Sequence, residues 1–82
     1  MRILMRIVKE HDSVVLVSDV PERGLKAGDL GVIVYCHTKN EAFEVEFMTV
    51  AGKTVAVITL KASQVRAVGS RDLPQVRELS FA

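Results

Sequence analysis

The stretch Phe43-Glu44-Val45-Glu46-Phe47 alternates strictly between apolar and acidic residues. Side chains leave a strand alternately to its two faces, whereas a helix would scatter these five around its circumference. The pattern predicts a half-buried strand with Phe43, Val45 and Phe47 turned to a core and Glu44 and Glu46 to the other side. One such strand cannot bury its apolar face alone, so partner strands must lie nearby.

The rest of the chain supplies them. Val14-Val15-Leu16-Val17 is β-branched and bounded by Asp12-Ser13 and Asp19-Val20-Pro21, which reads as a short strand closed by turn residues. Val32-Ile33-Val34-Tyr35-Cys36 forms a hairpin with the alternating stretch through the polar turn Lys39-Asn40-Glu41-Ala42. Thr54 to Leu60 and Val65 to Val68 complete the set, with Lys61 to Gln64 as a single helical turn between them. Pro21 to Asp29 combines proline, two glycines and mixed charges, so it is expected to be a long exposed loop with Leu25 tucked beneath it. The expectation is an all-β fold, five short strands closing into a small barrel. In the tail, Asp72 as N-cap and Leu73, Val76 and Leu79 at helical spacing predict a short C-terminal helix.

Eighty-two residues fit one core, so residues 1–82 read as a single domain, with the barrel at about 7–68 and a tail at 69–82. A composition 49% hydrophobic and 26% charged excludes a disordered chain, and no unbroken apolar run is long enough to span a bilayer. A formal net charge of +1 gives no global positive field to attract nucleic acid. Cys36 is the single cysteine, so an intrachain disulfide is impossible and a cytoplasmic location is expected. Met1 to Val8 has no small-residue cleavage site and is not read as a signal peptide.

Candidate chemistry is thin. His11 with Asp12 and Cys36 with His37 raise the question of a metal, but adjacent strand residues face opposite ways, so Cys36 and His37 do not converge on one ion. Glu44 and Glu46 stand about 7 Å apart by strand rise, a spacing that invites comparison with paired glycosidase carboxylates, yet a domain this small offers little wall around them. Gly24, Gly28 and Gly31 lack the Gly-Lys-Ser/Thr ending of a phosphate loop and read as turn formers. No catalytic residue, cofactor or metal is therefore expected.

The segment Thr54 to Leu60 sets a different problem. Val55, Val57 and Thr59 share one face and Ala56, Ile58 and Leu60 the other, so both faces are apolar where an antiparallel strand normally keeps one wet. Either terminal segments such as Met1 to Val8 cover the second face, or another chain does. The second choice makes Ala56, Ile58 and Leu60 an expected interaction surface, for a protein partner or for self-association.

The loop Pro21-Glu22-Arg23-Gly24-Leu25-Lys26-Ala27-Gly28-Asp29-Leu30-Gly31 and the strand Phe43-Glu44-Val45-Glu46-Phe47 together resemble a bacterial family of small proteins of unknown function. The resemblance runs from Ile7 to Val68 and implies an SH3-like barrel. Gly28-Asp29-Leu30-Gly31-Val32-Ile33-Val34 is also similar to the turn of KOW motifs in ribosomal and transcription proteins. The leading expectation is a non-catalytic protein-interaction module or accessory subunit. The alternative is a KOW-like nucleic-acid-binding module using Arg23 and Lys26, against which Glu22 and Asp29 cancel much of the loop's positive field.

Overall fold

The computed structural model describes residues 8–37, 39 and 41–79. Five antiparallel strands form one sheet: β1 (Ser13–Leu16), β2 (Leu30–Cys36), β3 (Ala42–Met48), β4 (Thr54–Lys61) and β5 (Val65–Ala67). Their order in space is β4-β3-β2-β1-β5. A 3-10 turn over Pro21–Arg23 lies in the β1–β2 loop, and a second over Ala62–Gln64 links β4 to β5. No hydrogen-bonded ladder joins the edge strands β4 and β5 among the described residues, so the sheet is not seen to close into a barrel. No described helix is long and apolar enough to cross a membrane.

Register explains which residues form the core. Phe43 pairs with Leu60, Val45 with Ile58 and Phe47 with Ala56, so these six share one side of the sheet. All six are buried, joined by Val14, Leu16, Val20, Leu25 and Ile33. Leu25 lies under the long loop as expected from the sequence. Val8, the first described residue, packs against this same core. Residues 1–7, expected as a cover for the other face, lie outside the described residues.

One sequence expectation is reversed, and β2 departs from simple alternation. Ala56, Ile58 and Leu60 are not an outward surface: they are 5%, 7% and 2% exposed, because pairing with the aromatic face of β3 draws them inward. The outward residues of β4 are Val57 and Thr59; Val55, the extra residue of a β-bulge between Thr54 and Ala56, packs against the core instead of sharing their face. Strict alternation in β2 also fails, since a β-bulge at Val34 shifts the register between Ile33 and Tyr35. Tyr35 therefore turns out beside Glu44, and Cys36 turns in beside Phe43.

The tail does not form the expected helix. From Asp72 to Leu79 it has no regular secondary structure. Instead of capping a helix, the Asp72 carboxylate accepts from the Gly69 amide at 2.6 Å and takes both terminal nitrogens of Arg66 at 2.9 Å. A side chain that can satisfy a turn locally competes with the helix it might start.

Candidate functional site

The β1–β2 loop is tied along its length. At its base the Leu16 amide donates to the Asp29 carbonyl at 2.9 Å and the Gly28 amide to the Leu16 carbonyl at 2.8 Å. At its tip Val20 and Leu25 exchange backbone hydrogen bonds of 2.9 and 3.1 Å. The Asp19 carboxylate accepts from the Ala27 amide at 2.8 Å, and Asp29 Oδ2 accepts from the Lys26 amide at 2.9 Å. Gly28 has φ of +98°, a conformation that glycine adopts without a Cβ penalty.

The tail returns across this loop and places Arg77 on it. Arg77 Nε donates to Asp29 Oδ1 at 2.8 Å, and Nη2 donates to Asp29 Oδ2 at 2.6 Å and to the Gly24 carbonyl at 3.0 Å. The two side chains are only 20% and 15% exposed. Burial alone would raise the Asp29 carboxyl, but hydrogen bonds from Arg77 and the Lys26 amide, with the charges of Arg77 and Lys26, outweigh it and hold the group below its ordinary range. Gln75 lies close as well, its Oε1 2.8 Å from where a Cβ on Gly28 would stand.

A second feature lies along β4. An open cavity of about 370 Å³ is lined by Val20, Glu22 and Arg23 of the loop, by Val57 to Leu60 and by Gln64. β4 is an edge strand of the sheet among the described residues. From Thr54 to Leu60 that edge carries no charge, proline or glycine.

The outer face of the sheet carries a polar row. Glu44 Oε2 lies 2.6 Å from His37 Nε2 and accepts from Thr59 Oγ1 at 2.7 Å, and Tyr35 packs edge-on to the His37 ring at 5.0 Å. The bonds from His37 and Thr59 pull the Glu44 carboxyl below its usual range. Glu46 is engaged separately, by the Thr54 hydroxyl at 2.6 Å. The two glutamates are thus taken up by different cross-strand partners and do not flank a cleft.

Of the residues singled out in the sequence, Arg23 lines the β4 cavity, while Lys26 donates its amide to Asp29 and acts electrostatically on it. No group of three or more metal-ligating side chains occurs among the described residues. Cys36 is half-buried, and burial, followed by the charges of Glu10 and Asp12, raises its thiol. Sequence reasoning missed the Asp29–Arg77 pair, whose members are 48 positions apart with nothing in either neighbourhood to link them. In the sequence Asp29 is legible only as a loop carboxylate that offsets the neighbouring cations.

Fold and site define a small all-β domain: one antiparallel sheet, a pinned loop and, in β4, an edge strand with no outer partner strand among the described residues. Residues 10–67 match the model of a family described as a domain of unknown function, DUF4926, and the chain belongs to that family. No curated protein and no solved structure matches the chain.

Proposed function

We propose that this chain is a non-catalytic protein-interaction module on an SH3-like barrel, and that β4 takes an extended segment of a protein partner along its free edge. The strand order, the long loop after β1 and the 3-10 turn before β5 support the barrel reading. The observation that carries the function is the edge itself. Folded proteins blunt exposed edges with charge, proline or bulges; β4 has neither charge nor proline from Val55 to Leu60, and its one bulge, at Val55, lies at the start of the strand and leaves Ala56 to Leu60 in regular register. An added strand gains main-chain hydrogen bonds there, and the adjoining cavity gives its side chains a seat.

The test uses Val57, which is 49% exposed on this strand. Val57→Lys puts a charge on the edge without entering the core. The wild-type chain is expected to retain a protein from its host's extract, or to self-associate in sedimentation, and the variant to lose that association while melting like wild type. A wild-type chain that stays monomeric and retains nothing, or a variant that associates equally well, rejects the reading. Tight, salt-sensitive oligonucleotide binding lost in Arg23→Ala or Lys26→Ala would replace it with the nucleic-acid alternative.

A further inference from the structure

The Arg77 contact is built as a recognition site rather than as a surface ion pair. Surface pairs usually hold one exposed charge against another and contribute little. Here a planar guanidinium meets both oxygens of one carboxylate and a backbone carbonyl, three hydrogen bonds of 2.6–3.0 Å in a setting at most 20% exposed. That geometry selects arginine over lysine, whose ammonium cannot make the fork. Asp19 adds negative charge on the same side. The acceptors are held in place before any arginine arrives, because Asp29 is fixed by the Lys26 amide and Gly24 by the bridge between Val20 and Leu25.

Site and occupant also fall on different sides of the family match. Asp29, Gly24 and Asp19 fall within the family-matched residues 10–67, whereas Arg77 lies beyond them. The tail that delivers it has no regular structure, and its apolar side chains stay out of the core, with Leu73 90% and Val76 83% exposed. It touches the loop through Arg77 and Gln75 and is not anchored by Leu73 or Val76, which makes it a displaceable occupant. We propose that the β1–β2 loop is a receptor for the arginine of an extended polypeptide segment, and that the chain's own tail fills it in cis and competes with segments offered in trans. The site is distinct from the β4 edge and stands whether or not that edge binds a partner.

Two arms test this with full-length chains. First, a labelled peptide of the tail sequence Asp-Leu-Pro-Gln-Val-Arg-Glu-Leu is titrated into wild type, Arg77→Ala and the double variant Asp29→Asn/Arg77→Ala. A tethered occupant acts at an effective concentration near the millimolar range, so Arg77→Ala is expected to bind the peptide at least ~10-fold more tightly than wild type. The double variant should lose that gain, as should a peptide with alanine or lysine in place of its arginine. The peptide changes keep the result readable even if Asp29→Asn disturbs folding. Equal binding by wild type and Arg77→Ala, indifference to the peptide's arginine, or no binding by Arg77→Ala overturns the proposal and leaves the pair a structural staple.

The second arm separates another copy of this chain from a different protein as the source of the arginine. Arg77→Ala keeps the site and lacks the key, and Asp29→Asn keeps the key and lacks the site. A heterodimer that forms on mixing the two, and in neither alone, shows the tail read in trans by a second copy. Peptide binding without a heterodimer assigns the site to an arginine segment of a different protein.

Discussion

Gly31 of β2 stands directly across from Phe47 of β3, and a Cβ on Gly31 would lie 2.8 Å from the Phe47 ring and 2.6 Å from Val45 Cγ1. Both neighbours are buried core side chains, and the Glu46 carbonyl closes the third side at 3.1 Å. This glycine is therefore set by close packing and not by a left-handed backbone, unlike Gly28 three residues earlier.

Gly31→Ala is accordingly expected to lower stability by ~1–3 kcal/mol, the usual cost of overfilling a packed core. Urea unfolding measures it. Phe47→Leu in the same chain should recover part of the loss, giving a coupling term between the two sites. An alanine variant as stable as wild type would mean that the β2–β3 register differs from the one described.

Asp29 gives a pH dependence of defined sign. Its folded-state carboxyl lies below its ordinary value of 3.8, so the folded chain releases that proton more readily than the unfolded chain. The stabilisation is complete above the ordinary value and is lost as pH falls through the lower folded one. Asp29→Asn keeps an acceptor for the Lys26 amide but removes the charge, and should cost about 1 kcal/mol at neutral pH. The gap between thermal melts of wild type and variant should narrow as pH falls below 3.8. A gap that persists undiminished in acid would show that the charge is not the source.

Cys36 reports on the β2 bulge. Without the extra residue at Val34, alternation from Ile33 would send Cys36 outward and Tyr35 inward. With it, the thiol is half-buried and raised above its ordinary 9.0, first by burial and then by Glu10 and Asp12. Iodoacetamide should alkylate the native thiol ~10-fold or more slowly than the urea-unfolded one at the same pH. Equal rates would place Cys36 on the outer face.

Much of the sheet was legible because its signals are local. The period-two pattern of β3 assigns Phe43, Val45 and Phe47 to the core from those residues alone, and turn chemistry bounded each strand to within a residue or two. Local chemistry misled at Asp72, where capping potential and helical spacing were both present but Arg66 and Gly69 claim the carboxylate. In β2 the bulge inserts one residue, and nothing in five consecutive β-formers marks which one is extra.

The all-β class, the strand positions, the core face of β3 and the turn role of Gly28 are set by residues adjacent in the chain, so the sequence suffices for them. The tertiary structure alone decided which side of β4 is inside: both sides are apolar, and only pairing with β3 sends Ala56, Ile58 and Leu60 inward and leaves Val57 at the surface. It alone also joined Arg77 to Asp29, because a contact across 48 residues depends on where the tail returns and not on any pattern along it.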